Sequence, residues 1–384
     1  MTSSLPLADG EAASGGGELC SVRPSPLRST VERFHALAVA AVERLTDDSV
    51  AVTFDIPSGL RDTFAFAPGQ SLTLRRVADG VEHRRTYSIC SPVGARPRIG
   101  VREIPGGLFS PWLVRDVRPG DRIEVAPPAG TFCADPAGGG RHLCIAAGSG
   151  ITPVLSIVSS VLTNPRATVT LLYGNRTTSS VMFAEELADL KDGNGSRFEL
   201  VHVLSREPRD VELFSGRLDP ARLRTLLPLL VPLAAVDHVW LCGPLAMIEG
   251  ARGVLTELGV PRSSVHVELF HAGEPPPQRR HAHADASRGG TVATSDVTIV
   301  LDGRRATAPA PRDRPLLETA QRSRSDVPFA CKGGVCGTCR ARITAGEVEM
   351  TRNFALEPDE VDAGFVLTCQ TYPDGDAVTV DFDA

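Results

Sequence analysis

Between residues 35 and 125 the chain alternates short apolar runs with compact turns. The runs are His35–Val42, Val50–Ile56, Gln70–Arg76, Val81–Ile89, Arg98–Ile104 and Arg122–Val125. Turn residues separate them, as at Pro57-Ser58-Gly59, Pro68-Gly69 and Pro119-Gly120. Short strands with this punctuation predict a small antiparallel barrel. Near Gly138 the rhythm changes. Apolar runs at Leu143–Ala147, Val169–Tyr173, Phe198–Leu204, His238–Leu241 and Val265–Phe270 alternate with helical patterns at Pro153–Leu162, Met182–Leu190 and Leu245–Leu258. Strand–helix alternation predicts a parallel sheet covered by helices. A third pattern begins near residue 295. Val297–Leu301 and Arg304–Ala308 flank an Asp302-Gly303 turn, followed by a helix over Leu316–Arg322, a Cys/Gly loop and further short strands. This suits a compact α+β domain.

The segments between these patterns set the boundaries. Residues 1–32 are rich in Ser, Gly and Pro without periodicity and read as a tail. A barrel follows over 33–137 and an α/β domain over 138–273. Residues 274–294, opening with Pro275-Pro276-Pro277, read as a linker before a last domain at 295–384. His281 and His283 lie in that linker without further ligands nearby in sequence, so a solvated linker is the better reading than a metal site.

Composition narrows the function classes. The net charge of -6 over 384 residues, with no Lys/Arg-rich run, argues against a nucleic-acid binder. The longest apolar run, Leu226–Val236, carries Pro228 and Pro232 and is too short to span a bilayer. The N-terminus has no apolar signal core, so a cytoplasmic location is expected. Nine cysteines in a reducing compartment point to a metal site rather than disulfides. Cys20 lies in the tail; Cys90, Cys133 and Cys144 read as small buried hydrophobes.

The sharpest signal is Cys331-Lys332-Gly333-Gly334-Val335-Cys336-Gly337-Thr338-Cys339, with Cys369 later. Its C-x4-C-x2-C spacing plus a distant cysteine is the plant-type [2Fe–2S] arrangement. The glycines let the backbone curl close and aim N–H groups at sulfur. A zinc site of four cysteines is the competing reading, but zinc sites usually show two separate cysteine pairs, and Cys369 has no cysteine neighbour.

Two helix starts look suited to anions. Gly148, Ser149, Gly150, Thr152 and Pro153 follow a strand and open a helix, with Thr152 expected as N-cap and Pro153 at the first helical position. Gly107, Leu108, Phe109 and Ser110 repeat the device in the barrel, with Ser110 expected to cap. Asn175 and Arg176 follow the second strand of the α/β domain, and Ser205 and Arg206 follow the third. An NAD-selective site would place an acid after the second strand; arginine suits a ribose 2′-phosphate, hence NADPH. Plain surface arginines are the alternative.

Arg85-Thr86-Tyr87-Ser88, the Gly107–Ser110 and Gly148–Pro153 turns and Cys242-Gly243-Pro244, in this order, resemble the ferredoxin–NADP reductase superfamily. The cysteine loop narrows the resemblance to modular oxygenase reductases, over about residues 33–384. Ala330–Cys339, Leu356–Glu360, Val366–Gln370 and the ending Val380–Ala384 look most like the reductase subunits of phenylacetyl-CoA epoxidases. The resemblance implies an antiparallel β-barrel FAD domain, an α/β parallel-sheet nicotinamide domain and an α+β β-grasp ferredoxin domain. It places Arg85 at the flavin pyrophosphate, Tyr87 on the isoalloxazine and Ser88 near flavin N5. Gly107 to Ser110 would hold the pyrophosphate, and Thr152 would sit where flavin and nicotinamide meet. Cys242, with Gly243 and Pro244, would border the nicotinamide, and Glu268 would be nearby. Ser88, Cys242 and Glu268 are thus the catalytic candidates. The expected route is NADPH to FAD to [2Fe–2S] to the oxygenase component of phenylacetyl-CoA epoxidase. A ring-hydroxylating or steroid hydroxylase partner, an iron–sulfur sensor and a stand-alone flavin reductase remain alternatives.

Overall fold

The computed structural model describes residues 34–78, 80–271, 293–324, 326–356 and 358–384. The expected tail and nearly all of the expected linker, with Cys20, His281 and His283, lie outside the described residues.

Strands β1 (His35–Thr46), β2 (Ser49–Asp55), β3 (Ser71–Ala78), β4 (Val81–Ser88), β5 (Arg98–Arg102) and β6 (Arg122–Val125) form one antiparallel sheet in the order β4-β3-β6-β1-β2-β5. Just beyond β4, Ile89 bridges Ile99 of β5, and the Cys90 N–H donates to Arg98 O at 2.7 Å. That bridge brings the two edge strands together where β4 ends and closes the barrel there. Leu37, Val52, Leu72, Leu74 and Val101 fill its core together with Leu113 of a short helix, α1 (Ser110–Arg115).

The next unit is α/β. Parallel strands β7 (Gly140–Ala147), β8 (Ala167–Asn175), β9 (Phe198–Leu204), β10 (His238–Pro244) and β11 (Val265–His271) lie in the order β11-β10-β7-β8-β9. Helices α2 (Ile151–Val161) and α3 (Ala184–Asn194) contribute to one core; α4 (Pro220–Leu230) and α5 (Leu245–Glu257) contribute to the other. The first core also takes in Ala51, Cys90, Phe132 and Ala134 of the barrel, so apolar packing is continuous across the seam.

In the last unit, β12 (Thr294–Leu301), β13 (Arg304–Pro311), β14 (Arg340–Ala345), β16 (Phe365–Leu367) and β18 (Ala377–Asp381) form a mixed sheet, order β13-β12-β18-β14-β16, with β12 and β18 parallel. Helix α6 (Leu316–Ser323) supplies Leu316, Leu317 and Ala320 to its core. Strands β15 (Val348–Met350) and β17 (Thr371–Pro373) make a small second sheet, and α7 (Pro358–Asp362) precedes β16. This is the expected β-grasp arrangement.

Helix α4 is the element that the apolar pattern does not predict. Asp219 caps it, accepting from Arg222 N at 2.9 Å, and Leu223, Leu226 and Leu227 bury one face. Pro228 near its end disguises the period, because helix interiors rarely tolerate proline. Cys90 and Cys144 are buried as expected, but Cys133 is only half-buried.

Candidate functional site

The barrel and the α/β unit meet along β5, and glycine makes the approach possible. A Cβ on Gly100 would lie 2.4 Å from Thr152 Cγ2 and 2.9 Å from Phe183 Cζ. Polar contacts lock the seam on either side: Arg102 Nη2 donates to Ser180 O at 2.6 Å, Arg98 pairs with Glu186, and Ser156 Oγ donates to Ser91 O at 2.7 Å. Gly100 belongs to none of the motifs singled out in the sequence, although a glycine inside a strand is a known mark of close backbone approach.

At this seam three expected residues converge. Ser88, the last residue of β4, donates from Oγ to Glu268 Oε2 at 3.0 Å across 180 positions of sequence. Glu268 stands opposite Cys242 in the parallel pairing of β11 with β10. Burial pushes the Glu268 carboxyl up to about 7, against the smaller opposing effect of the Ser88 hydrogen bond. Burial also raises the Cys242 thiol well above its ordinary value, and the Glu268 charge adds to it. Cys242 is therefore a neutral thiol at physiological pH.

The helix start beside them differs from expectation in its capping. Gly148–Gly150 form a turn of 3₁₀ helix, and α2 begins at Ile151 with Gly150 as its cap. Thr152 lies inside the helix, and its hydroxyl donates back to Ser149 O at 3.0 Å instead of capping; Pro153 is third in the helix. A Cβ at Gly150 would collide with Cys242 O at 2.3 Å, so this glycine lets the helix start abut the Cys242-Gly243 turn. Gly243 has φ +158 and faces Met247 and Ala147, and Pro244 immediately precedes α5.

On the barrel side, Tyr87 and Arg85 alternate with Ser88 and Arg84 along β4, so the two pairs face opposite ways. Tyr87 packs on the barrel core, 6.1 Å between ring centres from Phe109, which brings the Gly107–Ser110 turn beside β4. Burial raises the Tyr87 phenol, holding it neutral. Arg85 is exposed, its guanidinium donating to Arg84 O at 2.7 Å. The turn itself is tied by Gly107 N–H to Ile104 O at 2.9 Å. Ser110 is the first residue of α1, and its Oγ accepts from Ile104 N at 3.0 Å; it braces the turn and does not cap the helix. Leu108 leaves 60% of its surface exposed at this edge. An exposed cation, a neutral tyrosine and an open apolar rim suit a flavin with its pyrophosphate.

Past the ends of β8 and β9, Asn175 O accepts from Ser205 N at 2.9 Å and Arg176 O from Arg206 N at 2.8 Å. Arg176 and Arg206 are thereby held side by side, both exposed. Nearby Glu207 is engaged by the Thr178 N–H and hydroxyl, each at 2.7 Å. The Asn175 carboxamide is buried beside the Tyr173 hydroxyl, and among the described residues neither of its polar atoms makes a hydrogen bond of good geometry. An orphaned amide beside a glycine turn fits an incoming nucleotide.

The four cysteines of the last unit come together in two pairs, Cys331 with Cys336 and Cys339 with Cys369. The hydrogen bond from Cys336 does most to bring the Cys331 thiol below its ordinary value. Gly333 N–H points at Cys331 Sγ at 3.3 Å, and amides of Val335 and Cys336 also favour its thiolate. Gln370 ties the halves together, donating to Lys332 O at 3.0 Å and Cys369 O at 2.9 Å. Among the described residues no three ligating side chains converge on a point suited to a single ion. Two thiol pairs with backbone donors fit two irons better than one zinc.

Comparison with known proteins agrees with this geometry. The chain matches an oxidoreductase FAD-binding domain at residues 36–133, an oxidoreductase NAD-binding domain at 144–253 and a 2Fe-2S iron-sulfur cluster binding domain at 299–374. It belongs to the family of modular oxygenase reductases that join these three domains. Among its relatives is the E subunit of 1,2-phenylacetyl-CoA epoxidase from Escherichia coli, 42% identical over 91% of this chain and 98% of that protein. The ferredoxin reductase component of 3-ketosteroid-9-alpha-monooxygenase from Rhodococcus rhodochrous is 34% identical over 90% of this chain and 96% of its own length. The fold is that of phthalate dioxygenase reductase, which superposes with a TM-score of 0.60 at 24% identity, covering 91% of this chain and 98% of that one. The chain is thus an oxidoreductase that moves electrons from a nicotinamide nucleotide by way of FAD and a [2Fe–2S] cluster. No helix among the described residues is long and apolar enough to cross a membrane.

Proposed function

We propose that this chain is the NADPH-dependent reductase of a phenylacetyl-CoA epoxidase and delivers single electrons to the oxygenase component of that system. The observation that carries the partner is the 42% identity to the Escherichia coli epoxidase component over 98% of its length. NADPH rests on Arg176 and Arg206, held together by the Arg206–Arg176 backbone bond with Glu207 occupied by Thr178. Bound FAD supplies the conversion of a two-electron hydride into single electrons, the only kind a [2Fe–2S] cluster carries.

The chain's own residues orient and insulate that chemistry. Arg85 and the Gly107–Ser110 turn bind the flavin pyrophosphate, and Tyr87 packs on the ring system. Ser88 and Glu268 form a buried hydroxyl–carboxyl pair at the meeting point of flavin and nicotinamide, with Glu268 able to hold a proton near neutral pH. Cys242, as a buried neutral thiol, fills space there without adding charge. Thr152 closes the seam from α2, and Gly148, Ser149, Gly150 and Pro153 shape the turn that receives the nucleotide phosphates. Gly243 and Pro244 border the nicotinamide, and Asn175 and Ser205 flank the two arginines. Cys331, Cys336, Cys339 and Cys369 ligate the cluster.

The 34% identity to a ketosteroid monooxygenase reductase supports a second reading, a steroid hydroxylase as partner. Reconstitution separates them. NADPH, this protein and an epoxidase oxygenase component should convert phenylacetyl-CoA to its epoxide. Failure there, with activity toward a ketosteroid hydroxylase, would replace the first partner by the second.

A further inference from the structure

A buried cation of the barrel touches the cluster domain. Arg84 of β4 is only 4% exposed, and its guanidinium carbon sits 4.4 Å from the centre of the Phe329 ring. Phe329 is two residues before Cys331. The same ring receives Lys332 Nζ at 4.8 Å, and Phe329 is itself 7% exposed in the core of the cluster domain. Arg84 also lies 4.9 Å from the Phe34 ring centre, so two aromatic faces serve the one guanidinium.

A charge ladder on the sheet fixes the cation. Arg84 Nε donates to Glu82 Oε1 at 2.7 Å, Glu82 reaches Arg75 at 3.5 Å, and Arg75 makes a two-point bond to Glu124 at 3.0 and 2.8 Å. Arg75 stacks on Phe34 as well, at 4.3 Å. Each charge is thus neutralised by a neighbour before the cluster domain arrives, and the guanidinium plane is pre-oriented for stacking. A buried arginine is costly unless its carboxylate and ring partners are kept.

We propose that Arg84 is a positioning residue for electron transfer inside the chain. It clamps Phe329, and through it the Cys331 loop, against the strand whose next residues, Arg85 and Tyr87, face the flavin. This rests on the reading that Arg85 and Tyr87 hold the flavin. Hydride brings two electrons together from the nucleotide. They leave singly, each reducing one ferric ion of the cluster to ferrous before the partner oxidises it again, and the hydride's proton passes to solvent. The clamp does not alter that balance. It fixes the gap the single electron crosses, and tunnelling is exponentially sensitive to that gap. A second contact, Val335 and Phe354 packed on the α/β core, also holds the loop.

The test is anaerobic rapid mixing of the holoprotein with NADPH, following flavin bleaching and the ferrous cluster signal separately. Wild-type protein must show both, or the flavin assignment itself fails. Arg84→Ala should bleach its flavin at an unchanged rate, while cluster reduction slows about tenfold as the docked population falls. Cluster reduction in the variant should also become dependent on solvent viscosity, since domain docking then limits it. Arg84→Lys keeps the charge near Glu82 but loses the planar stack, and should fall between. Should Arg84→Ala fold poorly, Arg84→Lys alone carries the test. Unchanged cluster reduction would overturn the proposal. So would slowing without viscosity dependence, or slowing in proportion to lost flavin or iron, either of which marks a merely structural residue.

Discussion

Replacing Glu268 by glutamine tests whether its burial is as complete as the seam geometry requires. Glutamine mimics the protonated acid, and its carbonyl can still accept the hydroxyl of Ser88. In the native protein the carboxyl holds its proton to about 7, against an ordinary 4.5. A raised value means the native state binds the proton more tightly than the unfolded chain. The acid's favourable share is therefore fully present below about 4.5 and is lost as pH rises through about 7. Relative to the glutamine variant, the wild type should be less stable by about 1 kcal/mol near pH 5 and by about 3 kcal/mol near pH 8. That larger gap corresponds to about 6–12 °C in unfolding midpoint for a cooperative unit of about 150–250 residues. The assay is paired thermal unfolding of both holoproteins across this range. Differencing matters because His142 and His266, stacked beside Trp240, are lowered to about 4 by burial. Their contribution runs the other way, lost as pH falls, and cancels between the two proteins. A difference that stays flat with pH, or grows toward acid, would refute the buried-acid reasoning.

Four further outcomes are expected. Arg176→Ala with Arg206→Ala should raise the NADPH KM about ten- to a hundredfold for each charge-assisted hydrogen bond removed while leaving NADH nearly unchanged, and equal weakening for both would make the arginines structural. Gly100→Ala should cost about 1–3 kcal/mol and slow flavin reduction, because the methyl meets Thr152 and Phe183 across the seam; an unchanged reduction rate would deny the seam its role. Cys336→Ser should abolish the cluster absorbance and transfer to cluster-dependent acceptors yet spare flavin reduction by NADPH, and iron content equal to wild type would contradict the ligand assignment. From Cys331 to Ala384 there are four basic and ten acidic residues, so electron delivery to the oxygenase should fall steeply between about 0.05 and 0.5 M salt; delivery no more salt-sensitive than flavin reduction would exclude acidic docking.

Much of this architecture is written in local pattern. Arg122–Val125 and Phe198–Leu204 are strands over the residues their alternation predicts, because a half-buried or buried strand needs little beyond its own side chains. The cysteine spacing likewise points to its own ligands, since three of them share one loop. Pro228 hides helix α4, and Thr152 and Ser110 do not cap as their positions suggest, because a hydroxyl at a helix start can bond backward or across a turn as readily as it caps. The Ser88–Glu268 bond and the Arg84–Phe329 stack join residues far apart in sequence, and no period or spacing encodes them. In sequence Arg84 is one more polar residue on a strand. Its neighbours Arg85 and Tyr87 stand out through a motif, while the residue that meets the cluster domain does not.

The central claim is that electrons enter as hydride at the Ser88–Glu268–Cys242 seam and leave singly through the four-cysteine loop. Anaerobic mixing with NADPH, sampled by rapid freezing and read by electron paramagnetic resonance beside the flavin absorbance, tests it most directly. The account predicts that flavin bleaching comes first and the reduced [2Fe–2S] signal follows, with both iron and flavin present in each chain. Bleaching with no cluster signal, or a protein holding zinc in place of iron, would contradict it.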